Sequence, residues 1–174
     1  MLIMIDIVQF AVDREHPWVK SLGFRAFLEA KQLRVHVGGN EDSYQKVLQQ
    51  GHLDILMNPE LTMKKDHLHW RASGLNQVLL ALAQKRDVAI GFGLRPLLQV
   101  DDAQRAVLLG RMMQNVRLCR KYKVRMVLCS FAKDLFGLRS ASDVQSFGRV
   151  LGMTGAEAQQ ALQFEKRKGG VRFL

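Results

Sequence analysis

Residues 87–130 read DVAIGFGLRPLLQVDDAQRAVLLGRMMQNVRLCRKYKVRMVLCS. The two ends of this stretch, Asp87–Phe92 (DVAIGF) and Val124–Ser130 (VRMVLCS), are short apolar runs of the kind found in strands buried on both faces. Gly93 to Pro96 reads as a break. Asp101 and Asp102 then open a helix that runs to about Tyr122: acids suit the N-terminal end of a helix dipole, and Arg120 and Lys121 suit the other end. On a helical wheel Leu108, Leu109, Met112, Met113, Val116 and Cys119 share one side, while Gln114, Arg117 and Lys121 point the other way.

The same alternation extends in both directions. Ile3–Val8, Phe24–Glu29, Leu33–Val37 and Leu53–Met57 read as strands, with a short helix over Glu15–Leu22 between the first two. Asn40 is a good N-cap for a helix through Gln50. Ser73 is the expected cap of another, in which Leu75, Val78, Leu79 and Leu82 form one stripe. Two further helices are expected at Ser142–Leu151 and Thr154–Phe164. Alternating strands and helices mean an α/β fold with a largely parallel sheet, either open or closed into a barrel, with its sites at the C-terminal ends of strands. One domain is expected over 1–164, followed by a basic tail over 165–174.

The composition supports a packed domain: 174 residues, 48% of them hydrophobic. No apolar run approaches the roughly 20 residues of a spanning helix, and the N-terminal residues lack the basic region of a signal peptide. Two cysteines, Cys119 and Cys129, make no disulfide scaffold, so a reducing, cytoplasmic setting is expected. The net charge of +10 is unevenly placed: residues 1–70 sum to −1 and residues 71–174 to +11. Between Ala103 and Arg139, nine basic side chains face a single acid, Asp134. Like charges repel along a helix, and a polyanion is what relieves a stretch of one sign, so nucleic acid is the expected partner. The aromatic share is 7%, which points to phosphate contacts rather than stacking.

Candidates for catalysis are few. His67 and His69 alternate as metal ligands on a strand would, but no second such pair exists and His16, His36 and His52 are scattered, so packing or exposure is the better reading. Gly91-Phe92-Gly93 resembles the start of a phosphate loop, yet Pro96 follows Arg95 and no helix is expected to open there. Cys129 reads as a small buried residue, and Asp101-Asp102 as a helix start. No catalytic residue, metal ligand or cofactor site is assigned.

Several ordered segments resemble one family. They are Asp54–Glu60 (DILMNPE), Arg71–Leu79 (RASGLNQVL), Val88–Arg95 (VAIGFGLR), Asn115–Tyr122 (NVRLCRKY), Leu138–Asp143 (LRSASD) and Leu151–Met153 (LGM). Together, from Leu33 to Gln163, they are similar to the ribonuclease P protein component 3 family, the archaeal relatives of the thirty-kilodalton eukaryotic subunit. The resemblance implies a TIM-barrel-like fold related to the polymerase-and-histidinol-phosphatase hydrolases, with the metal ligands lost. The stretch before Leu33 is short and departs from the pattern, so the barrel is expected to be reduced near the N-terminus. The resemblance also implies a noncatalytic subunit of the complex that trims 5′ leaders from precursor tRNA. Its partners would be the ribonuclease P RNA, which holds the catalytic activity, and protein component 2 in a heterodimer or heterotetramer; contact with precursor tRNA would be indirect. The expected RNA-binding residues are Arg117 and Lys121 first, then Arg111, Arg120, Lys123, Arg125 and Arg139. A metal-dependent phosphoesterase of the related barrel superfamily is the competing reading.

Overall fold

A computed structural model describes residues 4–62 and 64–164. Strands β1 (Ile5–Val8), β2 (Ala26–Glu29), β3 (Val35–Val37), β4 (Ile55–Met57), β5 (Ala89–Gly93) and β6 (Met126–Cys129) alternate with helices. The helices are α1 (Pro17–Lys20), α2 (Glu41–Gln50), α3 (Gln77–Arg86), α4 (Arg95–Leu98), α5 (Asp102–Tyr122), α6 (Ala141–Val150) and α7 (Gly155–Ala161). Every strand pair is parallel, as helical crossovers require. The expected tail at 165–174 and the start of the first strand at Ile3 lie outside the described residues.

The hydrogen-bonded ladders are β1-β2 and β3-β4-β5-β6. The chain beyond β6 joins them: Phe131 N donates to Ile7 O at 3.1 Å, and Gln9 N donates to Ala132 O at 2.7 Å. Side chains alternate between two cores, following the two-residue period of a strand. Inward-facing Ile7, Val35, Ile55, Met57, Ala89, Val127 and Cys129, with Leu28 from β2, form one apolar cluster drawn from all six strands. Outward-facing Val8, Leu56, Ile90, Phe92 and Leu128 pack against the helices. The result is an α/β fold with barrel-like inner packing. Its hydrogen bonds stop short of a ring, because among the described residues no ladder joins β2 to β3.

The inner space is narrow. A Cβ at Gly91 would fall 2.7 Å from Met57 Sδ and 2.9 Å from Ile55 Cγ2, so only glycine fits between these two side chains. Two connections share one geometry: α3 and α5 end on Asp87 and Lys123, both left-handed at φ near 50°. Val88 N then donates to Ala83 O at 2.8 Å and Val124 N to Cys119 O at 2.9 Å, the six-to-one bond of a Schellman turn. Arg125 closes the pair by donating to the Asp87 carboxylate at 2.8 Å.

Two local expectations are corrected. The helix after β4 is capped by Asn76, whose Oδ1 accepts from Leu79 N at 3.0 Å, and not by Ser73. Gly74, at φ +81°, presses its Cα face against Pro59 O, so the chain is still turning where the helix was expected to begin. The later start turns Leu79, Leu80 and Ala83 inward and leaves Val78 55% exposed. The expected break at Gly93–Pro96 instead carries the short α4, with Pro96 in its first turn, where the missing N–H is no loss.

A Cβ at Gly74 would lie 2.0 Å from Pro59 O. Gly74→Ala should therefore destabilise the fold by on the order of 3 kcal/mol through overlap and backbone strain. Chemical denaturation of the variant against the parent protein checks this.

Candidate nucleic-acid interface

The long helix α5 is where the charge excess meets the fold. Asp101 caps it by accepting from Gln104 N at 2.8 Å. Leu108, Met112, Val116 and Cys119 are buried against the sheet, with Leu109 and Met113 half-buried beside them. Burying this stripe leaves the opposite face to solvent. Arg117 and Lys121 stand there, both exposed and one turn apart. Gln114, one turn earlier, donates to Arg71 O at 3.3 Å and Ser73 Oγ at 3.1 Å. One turn before that is Gly110, where a Cβ would fall 2.4 Å from the Arg71 guanidinium. Arg71 therefore lies across the helix at Gly110, and the outer face carries Arg71, Arg117 and Lys121 in one row.

The other arginines expected at an RNA surface are held by the protein itself. Arg111 is 6% exposed. Its Nε donates to Asp66 Oδ1 at 2.8 Å, its Nη1 to Glu60 O at 3.2 Å and Thr62 O at 3.3 Å, and its Nη2 to Lys64 O at 2.7 Å. It clamps the loop after β4, engaged on four protein oxygens. The wheel position, next to Leu108 and Asn115 on the inner side, is the signal that marks it.

Arg120 ties α5 to α7. Its Nε and Nη2 donate to the two oxygens of Glu157 at 2.8 and 2.7 Å, and Nη2 also reaches Gly152 O at 2.8 Å. The paired guanidinium pulls the Glu157 carboxyl down to about 2. Arg125 holds Asp87 as described, and Arg139 Nη1 donates to Phe136 O at 2.9 Å and Leu138 O at 2.7 Å. Lys123 is exposed at the left-handed end of α5.

Buried acids lie in the interior. Asp6 accepts from Ser130 N at 2.7 Å and Ser130 Oγ at 2.6 Å, yet burial still pushes its carboxyl up to about 6. Burial likewise pushes Glu60 up to about 7, against the opposing pull of Asn58, which donates at 2.8 Å, and of Arg111. The Cys129 thiol is driven well above its ordinary range by burial and by Asp6 nearby, so it is no nucleophile at neutral pH. The His67 ring stacks on Trp70 at 3.9 Å, which uses it in shaping its own loop. Among the described residues no group of three or more His, Cys, Asp or Glu side chains is gathered to hold a metal ion, and no helix is long and apolar enough to cross a membrane.

Fold and surface thus define a parallel-stranded α/β protein that presents a basic helix face. The sequence profile described as RNase P subunit p30 matches residues 18–168, and the chain belongs to that family. It is 37% identical over 164 residues to ribonuclease P protein component 3 of Methanosarcina mazei, an alignment covering 94% of this chain and 63% of that protein. The namesake in Methanosarcina acetivorans is 40% identical over 130 residues, covering 75% and 51%, and that in Thermococcus gammatolerans is 32% identical over 133 residues, covering 76% and 59%. The chain therefore spans between half and two thirds of the length of these relatives. A chain in a cryo-EM structure of archaeal ribonuclease P with mature tRNA shares the fold, with a TM-score of 0.66 at 21% identity, covering 91% of this chain and 76% of that one.

Two predictions follow from these environments. Arg111→Ala should cost about 3 kcal/mol or more, because it leaves the carbonyls of Glu60, Thr62 and Lys64 without their donor and removes one of the partners of Asp66, whereas Arg117→Ala should stay within about 0.5 kcal/mol. Thermal melts of the two variants distinguish them. The raised Asp6 and Glu60 mean that the folded state keeps protons the unfolded chain has already lost. Stability should accordingly fall as pH rises from about 4 through about 7, and Glu60→Gln should flatten the upper part of that decline. Denaturation midpoints measured across this range test the sign.

Proposed function

We propose that the chain acts as a noncatalytic protein subunit of ribonuclease P, supporting the catalytic RNA in endonucleolytic removal of 5′ leaders from precursor tRNA. The observation that carries this reading is membership of the p30 family over residues 18–168. The basic outer face of α5 supports it, since a cation row with its apolar side buried is what a folded RNA recognises through phosphates. The partners in this reading are the ribonuclease P RNA and protein component 2, as a heterodimer or a doubled heterotetramer, in the cytoplasm. Residues 1–164 act as one domain, with 165–174 as a basic appendage.

Arg117 and Lys121 are the leading RNA contacts, because among the described residues neither side chain makes a hydrogen bond or ion pair, Lys121 lying only over the Tyr122 ring at 5.5 Å. Arg120, Lys123, Arg125 and Arg139 come second: three of them are engaged at home, and Lys123 sits at the helix end. The contribution to catalysis is electrostatic. Compacting an RNA brings phosphates together, and fixed cations replace part of its divalent-ion demand.

Reconstitution tests the reading. Adding the chain with component 2 to the RNA should raise precursor cleavage at low Mg²⁺, whereas the RNA-free protein should cleave nothing. Cleavage by the protein alone would overturn the proposal. In the same complex, changing Arg117 and Lys121 together to Ala should weaken RNA binding and reduce the salt slope by roughly one to two units, with melting unchanged. A salt titration of RNA affinity measures this, and an unchanged slope would move the RNA surface away from α5.

A further inference from the structure

The parallel strands bring their C-terminal ends to one rim, the usual location of a ligand site in such folds. There the structure holds a cleft of about 490 Å³, whose lining includes Gln9, Asn58, Arg95, Phe131 and Lys133. It lies apart from the outer face of α5, and no acidic side chain lines it.

Three features set this rim apart from ordinary surface. First, Arg95 is half-buried, and no hydrogen bond or ion pair of its side chain is found among the described residues. Arg105, Arg111, Arg120, Arg125 and Arg139 all donate to protein oxygens. A guanidinium drawn partly out of water without a partner is unfavourable, and an anion in the cleft would supply that partner. Lys133 lines the same cleft from the loop after β6.

Second, Phe131 is a buried aromatic residue at φ +52°, in the left-handed region that bulky side chains avoid. Its backbone is held there by the bond to Ile7 O. Strain of this kind persists where the surroundings over-determine it, and it concentrates at ligand sites.

Third, Asn58 Oδ1 is buried and accepts no hydrogen bond. Its amide is oriented by Nδ2, which donates to Glu60 Oε1 at 2.8 Å and Gly93 O at 3.2 Å. Asn58 thus brings a buried acceptor without a donor to the wall of the same cleft that Arg95 and Lys133 line, and among the described residues neither cation has an anionic partner. A phosphate alone satisfies only the cations. A sugar phosphate also supplies hydroxyl donors.

We propose that this rim is a ribonucleotide site, with Arg95 and Lys133 on the phosphate and Asn58 Oδ1 accepting from the sugar hydroxyl directly or through one water. The phosphate comes from the 5′ end of an RNA strand or from a free mononucleotide. The site goes beyond the subunit role proposed above and is independent of Arg117 and Lys121.

The test is a calorimetric titration of the full chain. Its probes are uridine 5′-monophosphate, its 2′-deoxy counterpart, inorganic phosphate, and a five-residue oligouridylate with either a 5′-phosphate or a 5′-hydroxyl end. Phosphorylated ribose ligands should bind at one site, and Arg95→Gln and Lys133→Gln should each weaken them by about tenfold or more without changing the melting temperature. A tighter phosphorylated oligonucleotide makes the strand end the source, and a tighter mononucleotide makes it the free ligand. No effect of Arg95→Gln and Lys133→Gln on either phosphorylated ligand overturns the site, as does equal binding of the 5′-phosphate and 5′-hydroxyl oligonucleotides where the mononucleotide does not bind. Equal binding of inorganic phosphate and the nucleotides, or of the ribo and deoxy forms, overturns its sugar contact. Each of these results leaves the reconstitution outcome unaffected.

Discussion

Asp6 and Ser130 lie 124 positions apart in sequence, and their contact, together with the backbone bonds beside it, ties the two sheets to each other. The Asp6 carboxylate accepts from both the amide and the hydroxyl of Ser130, beside the backbone bonds that bring Phe131 and Ala132 against β1. Without that junction the β1-β2 pair would have no neighbour across the ladder, and the inner cluster would open on one side. Burial of Asp6 is unfavourable for its charge, which is why its carboxyl rises even while doubly hydrogen-bonded. The junction also sets the path of the chain after β6, and so places Phe131 and Lys133 at the strand ends.

The basic residues divide into two kinds by what their neighbours offer. Arginine's planar fork suits several acceptors at once. In this chain Arg111, Arg120, Arg125 and Arg139 each bridge carbonyls or carboxylates between segments distant in sequence or across a turn. Much of the positive excess is therefore architectural. Other cations remain outward, among them Arg117 and Lys121 on α5, Lys123 at its end and Lys133 at the rim, where Arg95 is half-buried. A count of charges therefore overstates the surface that is free of protein contacts, and the row on α5 and the rim are the two places proposed to meet phosphate.

Membership of the p30 family and the parallel α/β architecture agree on the kind of molecule this is. The interior carries no gathered metal-ligand set among the described residues. Its inner strand faces are filled by Ile7, Ile55, Met57, Val127 and Cys129, whose side chains pack against one another. In the proposed subunit role the chain would contribute positioning and charge neutralisation, for which a rigid scaffold with exposed cations is sufficient.

Sequence by itself determined the elements whose signals are local. The alternation of apolar runs with amphipathic stretches placed the strands and long helices, Asn40 and Asp101 announced their caps, and the wheel of α5 separated Met112 and Val116 from Arg117 and Lys121. Tertiary structure decided everything that depends on a partner far along the chain. It turned Arg111 inward to hold the loop after β4. It delayed α3 to Asn76 because Gly74 packs against Pro59, and it opened α4 at Arg95 where only a break was legible. It also brought Asn58, Arg95, Phe131 and Lys133 to one rim. A charged or polar side chain carries no local mark of whether its acceptor will be water, a carbonyl or a phosphate. That choice is made only when segments such as β1 and the end of β6 come together and take the acceptors out of solvent.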